Sequence, residues 1–358
     1  MPISQDRRPG LPTAVIVTSN FRAPSGGIQY WCVQIANLLN QTGLKAKGYG
    51  LRDLSLTSTY RLFRDLLWAQ RLVFGTWKHI LPTLPLSLFK AAFLPRGKQP
   101  DIQVLCHGDE LLCLKTRLSK AAVKLMFRSL SAKPIANSAF TAQLVKNTLN
   151  IDGVRVARPI VSPPRTESPR LATSSAHPTD TNDLNLLTVS RLVPRKNIRT
   201  CLHAVHALLR SRGIDVHYTV AGVGPDLDSL QSLARNLEID DVTHFLGEVT
   251  DATKDKLLAG ADIFLLPSVQ TTSPPSVEGY GIAFIEANYH GCPVISGNSG
   301  GMPEAVLDRV TGIITDGSPD EVTAAILELL ETKLDQQRIR DWAFTHSPHE
   351  NTDIVNML

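Results

Sequence analysis

SVEGYGIAFIEANYHG, residues 276–291, carries two acids, Glu278 and Glu286, separated by seven residues. Gly279 and Gly281 follow the first acid, and the rigid run Ser273-Pro274-Pro275 lies just upstream. If Gly281 opens a helix, Ile282, Ile285, Glu286 and Tyr289 share one stripe, at i, i+3, i+4 and i+7. That stripe is otherwise apolar, so it is expected to face inward. A carboxylate in such a place is costly unless hydrogen-bonded, and the vicinal hydroxyls of a ribose are suitable donors. The glycines open backbone N–H groups at the helix N-terminus, where they can meet a phosphate. Sugar, pyrophosphate and ribose laid in that order would meet Glu278, the glycine loop and Glu286. The alternative is a helix N-terminal acid followed by an Arg- or Lys-paired core Glu.

The same stretch belongs to an alternation of strands and helices. TAVIVTS (13–19) reads as a buried strand, followed by the loop NFRAPSGG and a helix from about Ile28 to Gln41. DIQVLCH (101–107) and KPIANS (133–138) are further strands, the second leading into the helix AFTAQLVKNTL. The run VSPPRTESPRLATSSAHPTDTNDL (161–184) is rich in Pro, Ser and Thr, cannot bury much, and reads as a linker. Beyond it LNLLTVS, VHYTVAG, VTHFLGE, ADIFLLP, CPVIS and TGIIT are strands. Helices between them begin near Ile198, Leu227, Thr253, Gly281 and Met302, and a last one runs from about Pro319 to Thr332. Such alternation implies parallel pairing. The expected fold class is α/β, with two doubly wound, Rossmann-like domains facing each other across a cleft. The expected division is 1–160, a linker over 161–184, 185–335, and a tail over 336–358 whose helix returns to the N-terminal domain.

Short motifs flank the strand ends. SRLVPRKN (190–197) puts Arg191 and Lys196 at the C-terminal edge of the second sheet, where open α/β folds bind ligands. Two cations there can hold a diphosphate; each alone also reads as a solvated surface charge. AGVGP (221–225) ends the next strand with glycines that allow close backbone approach. NSGGMPEAV (298–306) is another Gly-rich turn, with Glu304 complementing a helix dipole. In the first half, APSGGIQ (23–29) is a strand-to-helix turn, LCHGDELL (105–112) sets His107 at the end of a strand, and Asp109 and Glu110 read as loop acids. ANSAFTAQ (136–143) reads as a cleft edge or helix cap at Asn137 and Ser138.

Taken together and in order, VSRLVPRKN, TVAGVGP, FLGEV, ADIFLLPS, EGYGIAFIEA and GCPVISGNSGGMPEAV resemble the nucleotide-sugar-binding domain of GT-B fold, family 4 retaining glycosyltransferases. The resemblance covers about 130 residues, and the collinear set is specific where any single member is not. It implies a C-terminal nucleotide-sugar-binding domain and an N-terminal acceptor-side domain. It implies that Arg191 and Lys196 contact the donor diphosphate, with Gly27, Gly281 and Ile282 supplying backbone near it. Glu286 is then the ribose ligand, Glu278 lies by the transferred sugar, and backbone around Phe245 to Val249 lines the base. APSGGIQ resembles the family's acceptor-side glycine loop, at Gly26 and Gly27, and His107 stands where the family has a histidine near the reacting sugar. The catalytic residues implied are His107 and Glu278. One departure is Asn197, where the family commonly has glycine; Asn can cap the following helix.

The resemblance implies transfer of a sugar from a UDP- or GDP-sugar to a hydroxyl of a glycan or lipid-linked acceptor, with retained configuration. No cofactor beyond the nucleotide-sugar co-substrate is expected. No essential metal is expected either, since fixed cations and helix dipoles take its place and DLD (226–228) opens a helix. Other readings are a catalytically inactive nucleotide-sugar-binding scaffold and, disfavoured by the match at Glu278 and Glu286, a sugar-nucleotide epimerase.

Composition bounds the setting. The chain has 358 residues, 43% hydrophobic and 20% charged, as in a soluble globular protein. Five cysteines without a CxxC pair argue against a structural zinc site or a disulfide framework and suit a reducing cytosol. No apolar signal region opens the chain, and no uncharged apolar run reaches the roughly 18 residues needed to span a bilayer. The net charge of +4 divides unevenly: residues 1–180 hold 24 Lys+Arg against 9 Asp+Glu, and the rest is net acidic. Residues 60–98 carry seven basic residues and one acid, Asp65, interleaved with aromatics, and 111–151 carry seven basic residues and no acid. The expectation is a cytoplasmic protein, peripheral on the anionic inner face of the plasma membrane. Nucleic acid is not an expected partner, since no recognised module accompanies the charge.

Overall fold

The computed structural model describes residues 12–21, 27–85, 99–164, 183–212, 214–351, 354 and 357. Gly26, the segment 86–98 with Lys90, Arg96 and Lys98, and linker residues 165–182 lie outside the described residues. The chain divides into two compact units, Met1–Ile160 with Asn351–Leu358, and Val161–Glu350.

The first unit is built on β1 (Ala14–Thr18), β2 (Ala46–Gly50), β3 (Arg71–Phe74), β4 (Asp101–Cys106), β5 (Lys133–Ala136) and β6 (Arg155–Val156). All pair in parallel, in the order β2-β1-β3-β4-β5-β6. Every residue of AVIVT in β1 is buried, as expected of a strand covered on both faces. The helices are α1 (Gly27–Gln41), α2 (Leu56–Trp68), α3 (Asp109–Leu112), α4 (Arg117–Ser129) and α5 (Ala139–Leu149). Ser55 and Thr116 open α2 and α4 with capping boxes to Ser58 and Ser119, and Ser138 caps α5. Trp31, Ile35 and Leu39 of α1 pack with Ile16 and Val73 under one face, while Leu62 and Leu66 of α2 pack with Phe74 and Val104 under the other.

The second unit contains β7 (Asp183–Val189), β8 (Asp215–Ala221), β9 (Thr243–Gly247), β10 (Ile263–Leu266), a short antiparallel hairpin of β11 (Thr271–Thr272) and β12 (Pro275–Ser276), β13 (Val294–Gly297) and β14 (Gly312–Thr315). Its helices are α6 (Ile198–Arg212), α7 (Leu227–Asn236), α8 (Asp251–Gly260), α9 (Ile282–Tyr289), α10 (Pro319–Thr332) and α11 (Gln336–Phe344). The main sheet runs β14-β13-β10-β7-β8-β9. From β7 the chain works outward through β8 and β9, then returns to β10 on the other side of β7. That reversal is a topological switch point, and ligands of such sheets bind outside the carboxyl ends of the two strands that flank it.

Three expectations change. Near Met302 there is only a 3-10 turn, Met302–Glu304, because the chain reverses at Leu307–Arg309, with Arg309 at φ 56, to enter β14. In α9 the buried positions are Phe284, Ile285, Ala287, Asn288 and Tyr289, while Ile282 and Glu286 are half-buried at the rim. The helix is apolar nearly all round, so its periodicity could not pick the exposed face. The tail helix α11 packs against α9 within the second unit. The chain joins the first unit only from Asn351, whose side chain donates to the Arg158 carbonyl at 3.0 Å, with Ile354 buried beside α1.

Candidate functional site

The loops leaving β7 and β10 meet at the switch point. After β7, Ser190 and Leu192 donate backbone bonds to Ala221 and Val223 of the loop after β8, at 3.0 Å each. A Cβ on Gly222 would lie 1.8 Å from the Ser190 carbonyl oxygen and one on Gly224 2.1 Å from that of Leu192, so AGVGP serves loop-on-loop contact here. Pro194–Lys196 forms a 3-10 turn that ends at Asn197, with φ 55. This left-handed conformation explains why Asn stands where similar sequences have glycine. Its side chain ties two neighbouring loops to the turn: Nδ2 donates to the carbonyls of Pro267, at 3.1 Å, and Gly317, at 2.8 Å. Its Oδ1 accepts from the Thr200 hydroxyl at 3.0 Å.

The turn points two cations at one carboxylate. Lys196 Nζ donates to Glu278 Oε2 at 2.6 Å, and Arg195 Nη1 bonds the same oxygen while its Nε donates to Ser276 Oγ at 3.0 Å. All three charged side chains are largely buried. Burial alone pushes the Glu278 carboxyl up, but the charges of Lys196 and Arg195 and their bonds overcome it and hold it at about 2. Burial lowers the Lys196 ammonium; Glu278 opposes this, and the charges of Arg195 and Arg191 add to the lowering. Arg191 itself is exposed. The sequence singled out Arg191 and Lys196 but missed Arg195, because adjacent cations read as surface charge, whereas the 3-10 turn directs both Arg195 and Lys196 inward.

The backbone of the Glu278 loop is fixed from the NSGGMPEAV turn, where the Gly301 N–H donates to the Glu278 carbonyl at 2.9 Å. Gly281, at φ 108, ends the loop as the residue before α9, and Ile282 begins the helix. One turn further on, Glu286 Oε1 accepts from Lys254 Nζ of α8 at 2.8 Å, and Lys254 also faces Asp251 at 3.6 Å. Glu286 is therefore a Lys-paired acid at a half-buried rim position. Lys254 carried no sequence signal beyond lying on a helix.

In the first unit His107 follows β4. It is 9% exposed, its Nε2 lies 2.9 Å from the Gly75 carbonyl after β3, and Trp31 meets its ring edge-on at 5.4 Å. Burial pulls its imidazole down to about 4, with the Gly75 bond opposing and the His79 charge reinforcing. Glu110 departs from the loop-acid expectation: it is buried on α3, and its Oε1 accepts from the His107 N–H at 2.7 Å. Burial drives its carboxyl up to about 7 against the bonds it receives. Gly27 is the exposed first residue of α1. Among the described residues no three His, Cys, Asp or Glu side chains form a cation-binding cluster, and no helix is long and apolar enough to cross a membrane.

Residues 170–345 match the family described as Glycosyl transferases group 1. Over 143 residues the chain is 41% identical to a GDP-mannose-dependent alpha-(1-6)-phosphatidylinositol monomannoside mannosyltransferase of Mycobacterium tuberculosis, covering 40% of this chain and 37% of that protein. It is 29% identical over 153 residues to the amylovoran biosynthesis glycosyltransferase AmsK of Erwinia amylovora, covering 42% of this chain and 37% of that one. The chain thus matches little more than a third of the length of these curated relatives. In structure it is similar to HepE of Anabaena in complex with UDP and glucose, with a TM-score of 0.70 and 16% identity over 97% of this chain and 99% of that one. It is also similar to sucrose-phosphate synthase of Thermosynechococcus elongatus, with a TM-score of 0.69 and 14% identity over 96% of each chain. The chain has the GT-B fold, and the match over residues 170–345 makes it similar to the group 1 glycosyl transferases.

Proposed function

We propose that this chain moves a sugar from a nucleoside diphosphate sugar to a hydroxyl of a glycan or lipid-linked acceptor, with retained configuration, in polysaccharide or glycoconjugate biosynthesis. The observation that carries the reading is the shared carboxylate at the switch point of the second sheet. Arg195 and Lys196 bear two positive charges against the single negative charge of Glu278, and Arg191 adds a third close enough to depress Lys196. A diphosphate is the ligand such an excess of fixed cations recognises, and the same charges stabilise it as it departs.

Each residue then has a task. Arg191, Lys196 and Arg195 hold the diphosphate, assisted by the backbone of Gly281 and Ile282 at the start of α9 and by Gly27. Glu286 exchanges Lys254 for the ribose hydroxyls. Glu278, held ionised by its two partners, serves the transferred sugar as a charged acceptor and not as a proton donor. His107, neutral at physiological pH, supports the reacting sugar. The relatives point to GDP-mannose as the first donor to try, and the UDP complex of HepE to UDP-glucose as the second. Metal is dispensable in this reading, since fixed cations occupy its role, and turnover should survive a chelator.

The acceptor side is read as a peripheral membrane contact. On α2, Leu56, Tyr60, Phe63 and Leu67 recur at helical spacing and are exposed, Leu56 at 92% and Tyr60 at 70%. Exposed Arg52 and Arg61 flank them, and Leu118 and Leu125 stand out on the basic helix α4.

Product analysis tests the reading. Labelled GDP-mannose and UDP-glucose are incubated with membranes and with soluble glycans, and products are compared with those of Lys196→Ala. A labelled glycoside made by the wild type and lost in the variant is the expected result. Tight nucleotide binding with no product on any acceptor would replace the transferase with a scaffold.

A further inference from the structure

Between Glu278 and Gly281 stands Tyr280, only 2% exposed, and beside it His346 is fully buried. The Tyr280 hydroxyl lies 2.6 Å from His346 Nε2 and 3.3 Å from the carbonyl oxygen of Glu304. On the other side of the imidazole, Nδ1 faces the Trp342 carbonyl at 3.2 Å and Thr345 Oγ1 at 3.1 Å. A carbonyl only accepts, and the Thr345 hydroxyl gives its proton to that same carbonyl at 2.7 Å. Nδ1 therefore carries the ring proton, and Nε2 is left to accept from Tyr280. The Trp342 ring meets the imidazole edge-on at 5.0 Å, and its indole N–H donates to the Ala305 carbonyl at 2.9 Å.

This pair joins four segments of the second unit. The Glu278 loop is tied to the 300–305 turn through the Gly301 N–H, which donates to the Glu278 carbonyl. His346 ties both to the segment after α11. Its own carbonyl accepts from the N–H of Val161 at 2.9 Å, at the point where the chain enters this unit, and Tyr289 donates to the Val161 carbonyl at 2.7 Å. Filling the core needs only a ring at 280, which phenylalanine supplies equally well. What the hydroxyl adds is direction: a buried, fully paired polar link allows one arrangement where an apolar contact allows several.

We propose that His346 is a positioning residue. Acting through the Tyr280 hydroxyl, it holds Glu278 and the first turn of α9 in the orientation that the donor's sugar and phosphates require. The inference rests on the donor-site reading above and adds a pair of residues that need not touch the donor.

The test compares Tyr280→Phe, His346→Gln, His346→Phe and the Tyr280→Phe/His346→Phe double variant. Calorimetry measures GDP against GDP-mannose, and UDP against UDP-glucose, for whichever pair the wild type binds, and amide exchange is followed across 278–285. In Tyr280→Phe the nucleotide sugar should bind about tenfold more weakly while the free diphosphate changes less than about threefold. Exchange in the loop should quicken. His346→Gln, which keeps a hydrogen-bonding side chain, should stay nearer the wild type than His346→Phe, and the double variant should be no worse than the poorer single one. If His346→Phe does not fold, Tyr280→Phe, which removes one oxygen atom, decides alone. A wild type that binds a nucleotide sugar while Tyr280→Phe binds it equally and exchanges equally overturns the inference and spares the donor site. A folded wild type that binds no nucleotide overturns both.

Discussion

Lys196 Nζ lies 2.6 Å from Glu278 Oε2, the same carboxylate oxygen that Arg195 bonds. One oxygen therefore restrains two cations, and in the proposed reading a diphosphate shares them with it. Glu278→Gln should release that competition. The expected result is a free nucleoside diphosphate bound severalfold more tightly, with sugar transfer lowered about a hundredfold, since the ionised acceptor beside the sugar is gone. The pair also has an acid signature. The carboxyl is lowered from 4.5 to about 2, so its contribution to stability is complete above the upper value and disappears as pH falls towards the lower one. Acid unfolding followed by circular dichroism should lose that dependence in the glutamine variant.

Glu110 has the opposite sign. Its carboxyl is raised from 4.5 to about 7, so the folded form prefers the proton, and stability falls as pH rises between those values. One of its oxygens, Oε2, is buried without a hydrogen-bond partner. Asp109 on its own turn and the buried Cys106 are the charged and titratable neighbours coupled to it, and His107 donates to it through the backbone. Glu110→Gln keeps an acceptor for the His107 N–H and removes the charge. The melting temperature should rise at about pH 8, by the equivalent of roughly 1–3 kcal/mol, and change little at about pH 5. Equal shifts at both values would contradict the assignment.

How much of this was legible in the sequence follows from burial. Parallel strands covered on both faces read as unbroken apolar runs, which is why β1, β7 and β10 stood out. The strand β2, AKGYG, has three half-buried residues and two glycines, and β3 has four residues, too short for any period to show. The helix α2 is apolar on its buried face, at Leu62 and Leu66, and also on its exposed one, so it read as a basic-aromatic stretch. The candidate site residues Arg191, Lys196, Glu278 and Glu286 were singled out by the strand-end motifs that carry them and by the order of those motifs. Arg195, Lys254 and His346 were missed because their partners Glu278, Glu286 and Tyr280 are brought to them by tertiary contacts that local sequence does not encode, while Glu110 read as a loop acid because its burial is set by the packing around it.

Gly300 offers a backbone test of the same loop. It sits at φ 68, and a Cβ there would lie 2.2 Å from the Glu278 carbonyl oxygen and 2.7 Å from Val277 Cγ2. Gly300→Ala meets both the strain of a left-handed residue and a clash with backbone. Nucleotide affinity should fall by about tenfold or more, with a loss of stability on the order of 1–3 kcal/mol. Wild-type affinity in the alanine variant would mean that the Glu278 loop is not held by this turn.

The exposed face of α2 makes a separate prediction. Sedimentation with vesicles containing anionic phospholipid should carry the protein down, neutral vesicles should not, and added salt should weaken the effect. Replacing Leu67 and Trp68, exposed at 43% and 49%, with serine should reduce binding without altering nucleotide affinity. Equal sedimentation of the variant would show that α2 is not the contacting face.

The most direct measurement is calorimetric titration of GDP, UDP and ADP into the wild type, Lys196→Ala and Glu286→Ala. The expected result is one nucleotide bound well by the wild type. Removing the Lys196 cation should weaken it by about tenfold or more, and removing the Glu286 ribose ligand by a similar factor. A folded wild-type protein that binds none of the three, or binds one with equal strength in both variants, would contradict the donor site assigned to the loops after β7 and β10.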